Sequence, residues 1–298
     1  MDQVLTLIGD PASRPLTRDR AEAARGRLRG AGAQCGDLDW LAPGIACDIP
    51  FAGLAPAAAE AAVRQRLADV PVDLAAQPVQ GRRKALLLAD MESTVIAQEM
   101  IDELAEHFGL GAEIARITAW AMAGELAFED ALATRVSLLA GLPAAALDEV
   151  AARITLNPGA RTLVRSMAAG GAHAALVSGG FSVFTARVRA ACGFDEDRAN
   201  RLEVEAGALT GRVAEPVLGP EAKLEALEEI ATARGLPLGA AIAVGDGAND
   251  TAMLAQAGLG VGYRPKALAR AAADVAIDHG DLTALLYLQG YRLEELVE

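Results

Sequence analysis

The stretch Ala85-Leu86-Leu87-Leu88-Ala89-Asp90-Met91-Glu92 is an apolar run that ends in two acids. Two later runs share this form, an apolar stretch followed by small or oxygen-bearing residues: 174–177 before Ser178-Gly179-Gly180, and 240–244 before Gly245-Asp246-Gly247. Periodicity alone does not distinguish such runs from buried helix. However, polar groups at the carboxyl ends of parallel strands are where open α/β sheets bind ligands. We therefore predict that the three runs are strands whose ends meet at one crevice.

The larger part of the chain is predicted to be an α/β domain. From Lys84 onward, strand-like runs alternate with helical patterns, which indicates a doubly wound parallel sheet. A helical insert over about 97–155 separates the first two strands. Because it directly follows the polar end of the first strand, we expect it to form a cap over the crevice. A later β-hairpin is predicted over Leu202–Glu205 and Ala208–Val213.

Residues 1–80 are predicted to form a small N-terminal α+β domain, and residues 81–298 the larger domain. Short strands and two helices, over about 17–29 and 56–68, follow one another in the order βαββαβ. That order predicts a ferredoxin-like sandwich. The polar stretch 77–83 is predicted to be the linker between the domains. No cluster of residues in 1–80 carries recognisable chemistry.

The composition is that of an acidic globular protein. The chain has 298 residues, a formal net charge of −13 and a hydrophobic fraction of 52%, far from the polar signature of disorder. The acidic excess argues against a binder of nucleic acid, which needs a basic face, and against a polybasic membrane-surface protein. Three scattered cysteines, no evident signal peptide and no long apolar segment predict a cytoplasmic protein. We expect neither nucleic acid nor a membrane as a partner.

Six side chains form a set that is consistent with phosphoryl transfer: Asp90, Ser178, Lys223, Asp246, Asn249 and Asp250. The aspartates offer the oxygen ligands that Mg²⁺ prefers. The segment 178–180 is predicted to open a helix, whose free N–H groups could receive a phosphate. Taken singly, each residue also fits an ordinary turn or a solvated helix position. Their ordered co-occurrence indicates transfer through an aspartyl-phosphate. The histidines are scattered, which argues against a histidine phosphatase or a Ser-His-Asp hydrolase.

Four segments resemble the motifs of the haloacid dehalogenase (HAD) superfamily: 90–94, 177–181, Lys223 and 245–250. Further segments are similar to the phosphoserine phosphatase family: 99–105, 117–126, 135–139 and 199–204. The resemblance covers about residues 84–290, and the first 80 residues loosely resemble the ACT-like extension of some members. It implies a HAD-like doubly wound sheet with a helical cap inserted after the first strand.

The resemblance also implies roles for individual residues. Asp90 would be the nucleophile and a Mg²⁺ ligand, together with the backbone carbonyl of Glu92 and the carboxylate of Asp246, and Asp250 would lie close by. The groups that would hold or position the phosphoryl oxygens are Ser178, the Gly179 amide, Lys223 and Asn249. Glu99 and Arg135 would bind the ammonium and carboxylate of an amino-acid substrate, since a zwitterion needs one acid and one base at its head. Met122 and Phe128 are predicted to be lid residues over the substrate, with helical core as the alternative.

Glu92 departs from the family pattern, in which the second acid of the first motif is Asp. In the family, this second acid protonates the leaving seryl oxygen and then deprotonates the attacking water. Glu carries the same functional group, with an ordinary pKa of about 4.3 against about 3.9 for Asp. Its extra methylene means that the carboxyl must fold back to reach the same proton. Our hypothesis is that Glu92 remains the acid/base, and the rival is an impaired acid step.

The expected function is Mg²⁺-dependent hydrolysis of O-phospho-L-serine to L-serine and phosphate, by family resemblance the last step of serine biosynthesis. One alternative is a phosphatase or phosphotransferase acting on another small phosphomonoester. A second is an amino-acid sensor whose phosphatase site is vestigial, although the presence of Asp90, Lys223 and Asp246 counts against it. The sequence leaves the oligomeric state open, with a homodimer among the alternatives.

Overall fold

A computed structural model describes residues 1–122 and 126–298 of the chain. Its larger sheet is built from strands β6 (Leu86–Ala89), β7 (His173–Phe181), β8 (Glu196–Asn200), β11 (Ala241–Gly245), β12 (Leu259–Tyr263) and β13 (Val275–Ile277). They are parallel and lie in the order β13-β12-β11-β6-β7-β8. The chain therefore winds outward from β6 in one direction and from β11 in the other. The predicted doubly wound parallel sheet is confirmed.

The leucine run of β6 fills both faces of this sheet. Leu87 and Ala89 join one apolar cluster, whereas Leu86 and Leu88 join another on the opposite face. Every residue of β6 and β11 is buried. Burial on both faces is typical of a parallel sheet covered by helices, and it explains why these strands have no polar alternation.

Helices cover the sheet and build the cap. Those of the larger part of the chain are α3 (Met100–His107), α4 (Gly111–Met122), α5 (Phe128–Ser137), α6 (Ala145–Ala151), α7 (Ala160–Ala169), α8 (Ser182–Cys192), α9 (Ala222–Ala233), α10 (Thr251–Gln256), α11 (Ala267–Ala272) and α12 (Ala284–Leu288). Helices α3 to α6 lie between β6 and β7 in the sequence, so the predicted helical insert after the first strand is confirmed. Over 1–122 and 126–298, no helix has the length and apolar character needed to cross a bilayer.

The predicted β-hairpin forms from β9 (Leu202–Glu205) and β10 (Ala208–Val213) and is hydrogen-bonded to the cap. Leu209 accepts a hydrogen bond from the Gly141 N–H and donates one to the Leu142 carbonyl, each 2.8 Å long. Gly141 and Leu142 lie between α5 and α6. The hairpin therefore connects the C-terminal end of α5 to the body of the protein.

The N-terminal part forms a separate antiparallel sheet. Its elements are β1 (Gln3–Gly9), α1 (Arg18–Gly30), β2 (Gln34–Cys35), β3 (Asp39–Ala42), β4 (Ala46–Ala52), α2 (Pro56–Arg64) and β5 (Val72–Pro78). The strand order is β2-β4-β1-β5, with β3 also pairing with β4. The first strand therefore lies between β4 and the last strand, as the ferredoxin-like prediction requires.

The segment predicted as a linker is instead built into the structure. Gln77 and Pro78 are part of β5. Arg82 joins the N-terminal sheet to α12: its guanidinium donates to both carboxylate oxygens of Asp48 (2.6 and 3.3 Å) and to the carbonyls of Tyr287 (3.1 Å) and Leu288 (3.0 Å). Polarity at 77–83 therefore reflects fixed hydrogen bonds rather than a solvated connection. The division into domains 1–80 and 81–298 stays a prediction.

The Arg82 contacts lead to a stability prediction. The Arg82 and Asp48 side chains are only 12% and 5% exposed, and removing one partner of a buried ion pair costs about 3–5 kcal/mol. We expect Arg82→Ala to lower the free energy of unfolding, measured by urea denaturation, by about that amount. The control is Arg64→Ala: Arg64 is 63% exposed and pairs with Glu60 within one helix, so its removal should cost about 0.5 kcal/mol or less. Equal losses in the two variants would contradict the anchoring role of Arg82.

Candidate active site

Three neighbouring strands bring the predicted site residues to one edge of the sheet. Asp90 directly follows β6, Asp246 directly follows β11, and Ser178 lies near the end of β7. In the sheet order, β11 and β7 flank β6. The point where the winding reverses, between β6 and β11, is where open α/β sheets leave a crevice for ligands.

A buried cluster of carboxylates and one ammonium occupies this crevice. Carboxylate oxygens of Asp90, Asp246 and Asp250 lie within 4.8 Å of one another. The Lys223 ammonium, on the first turn of α9, donates to Asp90 Oδ1 and to Asp250 Oδ1, each at 2.5 Å. Burial and the carboxylates of Asp250 and Asp246 raise the pKa of Asp90, while Lys223 opposes that shift. Burial would lower the pKa of Lys223, but Asp90 and Asp250 raise it above its ordinary value.

Asp250 uses both of its oxygens to organise the loop after β11. While Oδ1 accepts from Lys223, Oδ2 accepts from the backbone N–H groups of Asp246 (3.0 Å) and Gly247 (2.8 Å). A Cβ at position 245 would lie 2.3 Å from the Asp250 Cγ, so this arrangement requires a residue without a side chain there. Asp250 therefore fixes Lys223 and the Asp246 backbone rather than pointing freely into the crevice.

The cluster fits a divalent metal ion. Its ligand atoms are buried carboxylate oxygens, the type that hard cations such as Mg²⁺ or Ca²⁺ take. The three carboxylates outnumber the two ammonium groups that contact them, those of Lys223 and Lys266, and a dication would offset this excess of negative charge. Of the three, Asp90 and Asp246 lie directly at the strand ends, and Asp250 is occupied by Lys223 and the loop amides.

The segment Ser178-Gly179-Gly180 does not open a helix, contrary to the prediction. Strand β7 continues to Phe181, which is registered with Asn200 of β8, and α8 begins at Ser182. The pairing with β8 shifts register between Val177 and Phe181, so Ser178, Gly179 and Gly180 form an irregular stretch within the strand, called here the Ser178 turn. The Ser178 hydroxyl accepts a hydrogen bond from the Gly180 N–H at 2.9 Å. An anion bound at Ser178 would therefore meet this turn first, since α8 begins four residues later, at Ser182.

Glu92 lies in the tight turn after Asp90, in which Ser93 has a positive φ of 56°. Its Oε1 accepts a 2.8 Å hydrogen bond from the Met100 N–H at the start of α3. A Cβ at position 180 would lie 2.9 Å from Glu92 Oε2, so the longer acid is accommodated because residue 180 is glycine. Burial, reinforced by the charge of Glu99, raises the pKa of Glu92 to about 7. A group with that pKa gains and loses a proton readily near neutral pH.

Glu99 and Arg135 face the same region from the cap. Glu99 Oε1 accepts a 2.7 Å hydrogen bond from the Ser93 hydroxyl, and burial raises the pKa of Glu99. Arg135 is half-buried on α5, where burial lowers its pKa and the carboxylates of Asp102, Glu92 and Glu99 oppose that shift. An acid and a base are thus present near the crevice, and the two are not joined by a direct ion pair in the described part of the chain.

The remaining predicted residues lie at the rim. Asn249 is half-buried in the short helical turn Ala248–Asp250. The Phe128 ring, at the start of α5, comes within 3.5 Å of the position that a Cβ on Gly179 would take, so this predicted lid residue lies over the Ser178 turn. The Met122 side chain falls outside the described residues.

Lys266 was missed by the sequence reasoning. Its ammonium lies 2.9 Å from Asp246 Oδ2 although the side chain is 59% exposed, and its backbone N–H donates to the Asp246 carbonyl at 2.8 Å. Lysine is rare in this chain, with 3 residues among 27 cationic side chains. That rarity was the available signal, since two of the three lysines prove to be in the site.

Comparisons with known proteins agree with this geometry. A family model described as haloacid dehalogenase-like hydrolase matches residues 87–255. A phosphoserine phosphatase of Streptomyces coelicolor is 38% identical over 297 residues, covering 98% of this chain and 72% of that protein. The chain spans 72%, 65% and 56% of the length of the longer relatives that it matches.

Solved structures show the same fold. The unliganded structure of a probable phosphoserine phosphatase from Vibrio cholerae superimposes with a TM-score of 0.79 and 30% identity, covering 99% of this chain and 88% of that chain. A phosphoserine phosphatase solved as an analogue of its phospho-aspartyl intermediate gives a TM-score of 0.64 and 41% identity, covering 68% of this chain and 98% of that chain.

The position of Lys266 predicts an effect on metal affinity. An exposed cation beside Asp246 competes with a metal ion for that carboxylate, and an exposed ion pair contributes about 0.2–1 kcal/mol. We expect Lys266→Gln to tighten the binding of Mg²⁺, titrated calorimetrically at fixed ionic strength, by up to about fivefold. Lys84→Gln is the control, because Lys84 contacts the Gly239 carbonyl before β6 begins, away from the crevice. Unchanged or weaker binding in Lys266→Gln would show that the two cations do not compete.

Proposed function

The chain belongs to the haloacid dehalogenase-like hydrolases, and from this we propose that it hydrolyses O-phospho-L-serine to L-serine and phosphate through an aspartyl-phosphate on Asp90. One observation carries the proposal: the buried Asp90 carboxylate, at the end of the central strand, lies 2.5 Å from Lys223 and within 4.8 Å of two further carboxylates. A nucleophile, a counter-cation and a set of metal ligands thus meet at one point.

The first step transfers the phosphoryl group to the enzyme. A carboxylate oxygen of Asp90 attacks phosphorus, the bond from phosphorus to the seryl oxygen breaks, and that oxygen takes the proton of Glu92. The phosphoryl oxygens are held by the Ser178 hydroxyl, the Gly179 N–H and the Lys223 ammonium, with Asn249 positioning them. A Mg²⁺ ion bound by Asp90, Asp246 and the Glu92 backbone carbonyl, with Asp250 close by, would supply positive charge against those oxygens.

The second step releases phosphate. Glu92, now ionised, takes a proton from water as the water oxygen attacks phosphorus, and the bond from phosphorus to Asp90 breaks. The pKa of about 7 that burial gives Glu92 supports both duties. The hydrogen bond from the Met100 N–H and the closeness of Gly180 hold its carboxyl in one place. The extra methylene of Glu is therefore compatible with an active acid/base.

The cap supports selection of an amino-acid substrate. Glu99 offers a carboxylate to the substrate ammonium, and Arg135 offers a guanidinium to its carboxylate. Phe128 lies over the Ser178 turn, where it would exclude water from the first transfer. Cys35, Cys47 and Cys192 are free thiols, which supports a reducing cytoplasmic location.

The substrate assignment is tested by phosphate release with and without Mg²⁺. We expect O-phospho-L-serine to be hydrolysed with a kcat/KM about 10- to 100-fold above that of phosphoethanolamine, which lacks the carboxylate and its charged hydrogen bond, worth about 1.5–3 kcal/mol. Arg135→Met should remove most of this preference and leave phosphoethanolamine hydrolysis nearly unchanged. No release from O-phospho-L-serine in the presence of Mg²⁺ would refute the proposal, and equal losses on both substrates would refute the role of Arg135.

The role of Glu92 is tested by comparing Glu92→Gln with Glu92→Asp. Loss of a positioned acid/base costs about 10²- to 10⁴-fold, so Gln should lower turnover by that factor while Asp retains activity. With p-nitrophenyl phosphate, whose leaving group departs without a proton, Glu92→Gln should show a burst of about one p-nitrophenol per enzyme, because only the second step then needs a base. If Gln matches Glu in steady-state turnover, the acid/base is a different group.

A further inference from the structure

Asn200 is a buried amide that the proposed mechanism leaves unexplained. It is the last residue of β8, is 1% exposed, and lies in the segment 199–204 whose sequence resembles the phosphoserine phosphatase family. Its side chain makes three hydrogen bonds, all to backbone groups of two segments that carry phosphate-binding residues.

The first contact fixes the turn that carries Ser178. Asn200 Nδ2 donates to the Gly179 carbonyl at 2.9 Å. The same peptide unit carries the Gly180 N–H, which donates to Ser178 Oγ at 2.9 Å. This peptide is therefore held at both ends. Because Ser178 Oγ already accepts a hydrogen bond, its own hydrogen is left to donate, which is the role that binding a phosphoryl oxygen requires.

The other two contacts fix the segment that leads to Lys223. Asn200 Nδ2 donates to the Leu218 carbonyl at 3.2 Å, and Asn200 Oδ1 accepts from the Leu218 N–H at 2.7 Å. One amide thus satisfies both backbone groups of Leu218, five residues before Lys223. Only a side chain with two N–H donors and an acceptor can do this while also reaching Gly179, and Asn is the shortest residue that has them.

We propose that Asn200 is a positioning residue that links the Ser178 turn to the Lys223 segment and keeps their donors in register around the phosphoryl oxygens. This inference rests on the proposed function, because it assumes phosphoryl transfer at Asp90. A displacement of about 1 Å among such donors can cost on the order of 100-fold in rate. Asn200 itself touches no reacting atom and acts through Gly179 and Leu218.

The experiment compares Asn200→Leu with Gln289→Met, two neutral replacements of similar shape. Gln289 is a matched control because it is also a 1% exposed amide, donates to the Leu285 carbonyl and accepts from the Lys84 N–H, far from the crevice. Both variants lose buried hydrogen bonds and should unfold at similarly lowered temperatures. We expect only Asn200→Leu to lose about 100-fold in kcat, with a smaller change in KM.

Binding of orthovanadate, which adopts the geometry of the phosphoryl-transfer transition state, gives a readout that needs no turnover. We expect its Kd, measured by calorimetry, to rise at least about tenfold in Asn200→Leu, in line with the misplaced donors, and to stay unchanged in Gln289→Met. If the Leu variant does not fold, Asn200→Ala replaces it, because water can take the place of the lost hydrogen bonds. We expect Asn200→Ala also to have a lower kcat and a higher vanadate Kd than the wild-type chain. Wild-type kcat and vanadate affinity in a folded Asn200 variant would overturn the inference. Failure of the wild-type chain to hydrolyse O-phospho-L-serine would overturn the proposed function alone, since vanadate binding still tests the positioning role of Asn200.

Discussion

The contact on which the site depends is the buried ammonium of Lys223 between Asp90 and Asp250. Lys223 is 3% exposed, and a charge so far from water costs several kcal/mol unless it is paired and hydrogen-bonded. Here both partners lie at 2.5 Å, and Asp250 is itself fixed by two backbone N–H groups and by the absence of a side chain at Gly245. Buried ionic groups of this kind contribute little net stability compared with apolar packing. The role of Lys223 and Asp250 is instead to position the Asp90 carboxylate at the end of a rigid central strand.

The proposed substrate-binding residues, Glu99 and Arg135, lie in the cap, and Glu92 lies between the cap and this fixed centre. Glu92 connects the two regions, because its backbone belongs to the turn after Asp90 and its carboxylate is bonded to the first N–H of α3. An Asp at this position would be one methylene shorter and would reach less far toward α3. The Glu side chain reaches the Met100 N–H and lies close to Gly180, so the proposed acid/base is held by both the cap and the Ser178 turn. The longer side chain of Glu at position 92 therefore depends on the lack of a side chain at Gly180.

Local sequence predicts the parts of this structure that depend on local physics. The apolar runs of β6, β7 and β11 and the hairpin β9–β10 follow from burial and alternation, and the structure has them where predicted. The errors arise where distant residues decide the conformation. Ser178-Gly179-Gly180 has the composition of a helix start, but β8 pairs with β7 as far as Phe181, 19 residues from its partner Asn200. Likewise, the polarity of Arg82 suggests solvent, yet its partners lie 34 to 206 residues away. Lys266 reaches Asp246 only because α11 begins beside the β11 loop.

The net charge of −13 is the basis for expecting no nucleic-acid partner, yet it is a poor description of the site, whose proposed substrate is an anion. The proposed site residues, together with Lys266, comprise five carboxylates, Asp90, Glu92, Glu99, Asp246 and Asp250, against three cations, Lys223, Lys266 and Arg135. This leaves an excess of two negative charges, which would repel a phosphate dianion. One divalent cation balances that excess, and protonation of Glu92, whose pKa is about 7, reverses it. Under the proposed mechanism, phosphate binding would therefore depend on a metal ion held by these carboxylates and on the proton of Glu92 that the first step consumes.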